Sequence, residues 1–262
     1  MGAPVPVLDK LAATSPNGVG NFDISPAGVF VGVSGAATGI LSSLLWLDAA
    51  GNMQTLALEP RFYNTLALSP DGKRLATVIG LEKRKPDIVL CDIERERIDP
   101  LTFTGDANSP VWTPDGKRIV FRRTDSNRFY WIPANGSGKP ELLFDGSGAP
   151  PDARPLSFSP DGWTLLFFAS IDNRWSFWRL PVDLTGPEHP KVGKAEALPG
   201  FVSLPFGGVQ AGISPDGQWM AYVDREESTA SIELFVQPFP PTGGKSHLHC
   251  RRRVTGLVAE QP

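Results

Sequence analysis

The sequence predicts an all-β fold, a β-propeller of four-stranded antiparallel blades, and three observations carry the prediction. A turn tetrapeptide recurs at near-constant spacing, chain-breaking residues are dense, and no segment shows the 3.6-residue period of a helix. Ser69-Pro70-Asp71-Gly72 returns as Thr113-Pro114-Asp115-Gly116, Ser159-Pro160-Asp161-Gly162 and Ser214-Pro215-Asp216-Gly217, and a degenerate copy, Ser25-Pro26-Ala27-Gly28, precedes them. Successive copies stand 44, 44, 46 and 55 residues apart, and a period of roughly 40–45 residues is that of a four-stranded propeller blade. The 27 glycines and 26 prolines among 262 residues exclude a helical bundle and favour short elements joined by tight turns.

Each blade can be read in order. Proline presets φ at the first central position of a type I turn, Asp tolerates the second, and Gly takes the left-handed conformation that closes a bulged hairpin. Strand-like runs precede the turns at 65–68 and 110–112 and follow them at 74–78 and 118–121. A third strand is expected at 44–47, 87–92, 128–132, 176–180 and 232–237. A polar turn and a weaker fourth strand close the unit, as in Asn135-Gly136-Ser137-Gly138 before 141–144. Alternation within the third strand of the fourth blade puts Trp175 and Phe177 on one face, Trp178 and Leu180 on the other. A strand apolar on both faces belongs in a sheet packed between neighbours, as blades are. The expected organisation is one propeller over residues 1–250, with repeats near 20–60, 61–105, 106–150, 151–205 and 206–250, and an irregular tail at 251–262.

Composition narrows the partners. With 25 basic against 28 acidic residues the net charge is −3, so no nucleic acid is expected as a partner. Cys91 and Cys250 form no CxxC and specify neither a zinc site nor a disulfide framework; Cys91 reads as a small buried hydrophobe. The first 16 residues lack a basic and then apolar leader pattern, and the most apolar stretches, 44–47 and 165–169, are too short to span a bilayer. No membrane insertion is expected of these residues.

The repeated Ser-Pro-Asp-Gly-(Lys/Arg) hairpin followed by alternating apolar residues resembles the TolB-type propeller, over roughly residues 3–250. The order of Pro4-Val5-Pro6-Val7-Leu8, Phe22-Asp23-Ile24-Ser25, the run at 44–51, the run at 63–74 and Leu234-Phe235-Val236-Gln237-Pro238-Phe239-Pro240 is similar to the C-terminal sensor half of bacterial receptor serine/threonine kinases. That resemblance implies an extracytoplasmic propeller, with a kinase and a membrane helix preceding it. It also implies a six-bladed ring in which a strand near residues 5–8 completes the last blade. The residues after Pro240, including His247-Leu248-His249-Cys250-Arg251-Arg252-Arg253, do not supply the missing blade. The expectation is therefore an incomplete six-bladed ring from a truncated or frame-shifted product, open or closed with five blades.

The chemistry-bearing residues point away from catalysis. Asp71, Asp115, Asp161 and Asp216 could form a ring of carboxylates on one rim, but no Asp-x-Asp-x-Asp calcium loop accompanies them, so turn chemistry is the expected role. His-x-His-Cys at 247–250 lies in the tail, and His189 is the one remaining histidine. Gly-Val-Ser-Gly-Ala at 32–36 is no nucleophile elbow, and 135–139 fails as a phosphate loop. Prolyl-oligopeptidase-type hydrolases also carry a propeller but need a separate α/β catalytic domain, so the expected function is a non-catalytic binding or sensor module, with a stand-alone TolB-like periplasmic scaffold and the propeller portion of such a hydrolase as the alternatives. No cofactor, metal or catalytic residue is expected. The candidate interaction surface is the insertion at 181–210, with Glu188, His189, Lys191, Phe201 and Phe206, a loop for a protein or small ligand; the competing and favoured reading is a packed decoration that covers an adjacent blade edge.

Overall fold

In the computed structural model the described residues are 22–26, 29–34, 41–47, 52–80, 85–124, 126–171, 174–185, 190–198, 211–214, 216–225 and 232–240. No helix occurs among them. They form five antiparallel sheets, each running through its strands in chain order. The chain falls into two compact units, Met1–Gly105 with two blades and Asp106–Pro262 with three.

In the first unit, blade 1 comprises β1 (Phe22–Ile24), β2 (Phe30–Ser34), β3 (Ser43–Leu47) and β4 (Met53–Thr55). Blade 2 comprises β5 (Tyr63–Leu68), β6 (Arg74–Ile79), β7 (Asp87–Asp92) and β8 (Arg97–Pro100). The first strands of the two blades lie side by side, β1 against β5. Facing side chains fill the space between the sheets: Val31, Val33 and Leu44 from blade 1 meet Leu66, Leu68, Leu75, Val89 and Cys91 from blade 2. Burial of such apolar area stabilises the pair at roughly 25 cal/mol per Å² removed from water. Cys91 is wholly buried here, and burial pushes its thiol up to about 12, so it serves as packing volume.

The opposite face of blade 1 differs. Phe22 and Ile24 correspond in the repeat to Leu66 and Leu68. They are 39 % and 57 % exposed, whereas Leu66 and Leu68 are 8 % and 6 % exposed. Phe22 stacks on Phe30 of its own sheet, ring centroids 5.6 Å apart.

In the second unit, blade 3 comprises β9 (Ala107–Trp112), β10 (Arg118–Arg123), β11 (Phe129–Pro133) and β12 (Glu141–Phe144). Blade 4 comprises β13 (Arg154–Phe158), β14 (Thr164–Ile171), β15 (Arg174–Asp183) and the short pieces β16 (Lys191–Val192) and β17 (Glu196–Ala197). Blade 5 comprises β18 (Ala211–Ile213), β19 (Trp219–Arg225) and β20 (Ile232–Pro238), three strands among the described residues. Blade 4 is apolar on both faces. Trp178, Leu180 and Val182 join the cluster shared with Phe129, Trp131 and Phe144 of blade 3, while Phe177 joins Leu166, Phe168 and Met220 on the side of blade 5. Phe129 and Phe167 meet edge to face across the blade 3–4 interface at 5.5 Å. That geometry adds about 0.5–1.5 kcal/mol beyond area burial.

In the stretch 181–210 the described residues lie along the edge of blade 4. Its first residues extend β15 to Asp183, and β16 and β17 pair back along β15, Lys191 with Asp183 and Glu196 with Arg179. The reason is edge satisfaction: β15 is long, and two-residue pieces cover its outer edge with the help of the Leu198 N–H donating to the Phe177 carbonyl at 2.9 Å. Ala195 and Leu198 are buried against the blade as they do so.

Candidate functional site

The blades have two chemically distinct ends. At the hairpin between first and second strands the same wiring repeats. Gly72 N–H donates to the Ser69 carbonyl at 2.8 Å, and Ser69 N–H to the Arg74 carbonyl at 2.8 Å. The Ser69 hydroxyl donates to Asp71 Oδ1 and accepts the Arg74 N–H at 2.9 Å, and the same carboxylate oxygen accepts the Lys73 N–H at 3.1 Å. Thr113, Asp115, Lys117 and Arg118 repeat this pattern, with the Thr113 hydroxyl 2.6 Å from Asp115 Oδ1. So do Ser159 with Asp161 and Ser214 with Asp216.

The Asp71 carboxyl is held below its ordinary value chiefly by the Ser69 hydroxyl, and the Asp216 carboxyl by the Ser214 hydroxyl. Gly72, Gly116, Gly162 and Gly217 all have φ between +66° and +78°. The turns also touch one another: a Cβ on Gly162 would lie 3.4 Å from Pro114, and one on Gly217 would lie 3.9 Å from Pro160. Pro70, Pro114 and Pro160 stand in their turns; Pro215 lies outside the described residues. Among the described residues no three His, Cys, Asp or Glu side chains gather as metal ligands.

The degenerate turn of blade 1 is one residue shorter. Ser25 N–H reaches the Val29 carbonyl at 2.8 Å, where the full turns span one residue more, and Val29 N–H donates to the Ser25 hydroxyl at 3.2 Å.

At the opposite end the blades diverge. In the second unit Arg122 leaves the end of β10, Asp152 ends the loop after β12, and Arg154 opens β13. Arg122 Nη1 donates to Asp152 Oδ1 and to the Ala153 carbonyl, the latter at 3.3 Å. Arg154 Nη2 donates to Asp152 Oδ2 at 2.8 Å, and its Nε to Oδ1 at 3.3 Å. Asn127 Oδ1 accepts the Asp152 N–H at 2.8 Å. Asp152 holds φ +57°, a conformation that costs a non-glycine residue about 1–3 kcal/mol and persists only when its surroundings over-determine it. Burial acts to raise the Asp152 carboxyl, and the hydrogen bonds of Arg154 and Arg122 outweigh it, so the group stays below its ordinary value. Two guanidinium groups thus converge on one carboxylate. Arg122 is nearly enclosed, while Arg154 keeps 32 % of its side chain exposed and lies 5.8 Å over the Phe168 ring.

Of the loop residues singled out by sequence, Lys191 is an exposed residue of β16. Glu188, His189, Phe201 and Phe206 lie outside the described residues. The arginine network was missed because Arg122 and Asn127 stand 30 and 25 residues before Asp152 and the four residues share no motif.

Comparison with solved structures shows a β-propeller fold. TolB from Acinetobacter baumannii matches with a TM-score of 0.58 and 22 % identity over 79 % of this chain and 49 % of that one. A putative TolB from Agrobacterium tumefaciens matches with a TM-score of 0.61 and 20 % identity over 83 % and 76 %. Hydrazine synthase from Kuenenia stuttgartiensis matches with a TM-score of 0.51 and 16 % identity over 82 % and 60 %. The chain spans about half the length of the Acinetobacter protein. No family model and no curated protein matches it. At these identities the likeness concerns the fold, which serves a range of functions.

Proposed function

We propose that the chain is a non-catalytic propeller module that binds a protein or small ligand, and that it forms the extracytoplasmic sensor part of a bacterial receptor serine/threonine kinase. The observation that carries the binding role is the arginine network. A strained Asp152 is held by Asn127, Arg122 and Arg154, and the Arg154 side chain stays partly exposed. A partly exposed guanidinium held in place in this way suits a ligand carboxylate, a group that arginine meets with directed, charge-assisted hydrogen bonds. The order of apolar segments from Pro4 to Pro240 supports the kinase link.

Binding is tested by calorimetric titration of acidic peptides and dicarboxylates into the chain and into Arg154→Gln. A carboxylate ligand that binds the native chain and loses at least tenfold in affinity in the variant supports the reading. Equal affinity in both goes against it. The kinase link is tested by the flanking coding sequence. A kinase domain and membrane helix in frame upstream support it, and a signal peptide directly upstream favours a stand-alone TolB-like scaffold.

A further inference from the structure

Asp23 is the second residue before the turn serine of blade 1. The residues at that place in the other blades are Ala67, Val111, Ser157 and Gly212, so the carboxylate is peculiar to one repeat. Its pairing opposite Val31 puts its side chain on the face of blade 1 that packs against blade 2. One carboxylate oxygen accepts the N–H of Ile24 at 2.8 Å. The other accepts the N–H of Leu68, in β5 of the next blade, at 2.6 Å. A single side chain therefore ties the inner strands of two adjacent blades.

The interface around it is apolar. Tyr63 and Cys91 in it are both pushed up to about 12 by burial and so uncharged near neutrality; the charge of Arg61, which bridges to Ser42, acts on both, that of Glu59 on Tyr63 and that of Asp99 on Cys91, and the Tyr63 hydroxyl donates to the Glu59 carbonyl at 2.8 Å. β2 carries no titratable residue. In the turn after β5, Asp71 is bound to Ser69 and the Lys73 backbone, and the charges of Lys73 and Arg74 act on Asp71. No cation offsets a charge on Asp23 among the described residues. Burial pushes its carboxyl up to about 6, with the Leu68 and Ile24 hydrogen bonds pulling the other way.

We propose that Asp23 is a protonation-controlled joint between the first two blades. Neutral, it leaves the interface uncharged; ionised, it sets an uncompensated charge between the sheets and loosens them. Because the folded group binds its proton more tightly than the unfolded chain does, its stabilising contribution is complete below the unfolded value of 3.8. It is lost as pH rises through about 6.

The test uses the whole chain. The carboxyl carbon of Asp23 is titrated by NMR, and exchange protection of the Leu68 amide is followed from pH 5 to 7.5 after correction for intrinsic exchange. The expected result is a carboxyl midpoint near 6, with Leu68 protection falling across the same range in the native chain and flat in Asp23→Asn. A midpoint near the ordinary 3.8, or an unchanged loss of protection in Asp23→Asn, overturns the proposal. Should the variant fail to fold, the native carboxyl titration decides alone.

Discussion

The hairpin end and the inner strands of the blades place carboxylates under opposite conditions. At the hairpins Asp71, Asp115, Asp161 and Asp216 accept bonds from their own turns and face solvent. On the inner strand of blade 1, Asp23 reaches out of its own sheet into the next and sits without a cationic partner. The difference teaches that, in a repeat fold, the recurring carboxylate is an internal fastening of one hairpin. The non-recurring one reports on the joint between two blades. A residue's role follows from whether its partners lie in its own repeat.

The largest test of that comparison is steric. Gly72 and Gly136 share a left-handed backbone, φ +71° and +76°, but a Cβ on Gly72 would fall 2.7 Å from Val29 Cγ2, whereas one on Gly136 would meet nothing within 4 Å. Gly136→Ala therefore bears only the conformational cost, about 1–2 kcal/mol. Gly72→Ala adds overpacking against the neighbouring blade, so its total loss is about 3 kcal/mol. Urea denaturation of both variants measures the difference. Equal losses would mean that the hairpin of blade 2 does not bear on that of blade 1.

The next test is one of sign. The Asp71 and Asp216 carboxyls lie below their ordinary value, so their contribution is present above 3.8 and is lost as pH falls through the lower folded value. Asp23 behaves in reverse, losing its contribution as pH rises through about 6. In thermal melts from pH 2.5 to 8, Asp71→Asn is expected to lessen the acid-side decline and leave the neutral side as it is. Asp23→Asn is expected to flatten the decline between pH 5 and 7 and leave the acid side. A common effect of both variants on one limb would abolish the distinction between the two kinds of carboxylate.

How far this was legible in the sequence follows the same division. The hairpins were readable because each is a local object: Pro, Asp and Gly act within four residues, so the spacing of Ser69, Thr113, Ser159 and Ser214 places the blades directly. The strands flanking them followed, down to the weak fourth strand at Glu141–Phe144. Of the outer edge of blade 4 only a packed decoration could be read and not its strands, because β16 and β17 are two residues each and carry no alternation; the length of β15 creates the edge they cover. Asp23 carries no local signal of its role, since its partner Leu68 lies 45 residues on, in the next blade. In the structure its two apolar neighbours, Phe22 and Ile24, are the exposed ones. Asp152 and Arg154 pair locally, but Arg122 joins them only when blades 3 and 4 stack.

The smallest effect is expected where charges pair without enclosure. In β8, Arg97 Nε and Nη2 both donate to Asp99 Oδ2, at 2.9 and 2.7 Å, with the two side chains 69 % and 51 % exposed. The geometry is as good as that of Arg154 on Asp152, so the pair isolates the influence of surroundings from that of distance. Water screens both partners, and holding two long side chains in one arrangement costs entropy that offsets the attraction, so Arg97→Gln should change stability by less than about 0.5 kcal/mol. Urea denaturation at low and high salt checks it. A loss well above that, abolished by salt, would show that outer-strand charges fasten the blade as the hairpins do. A negligible change leaves the fastening to the hairpins and the interblade faces.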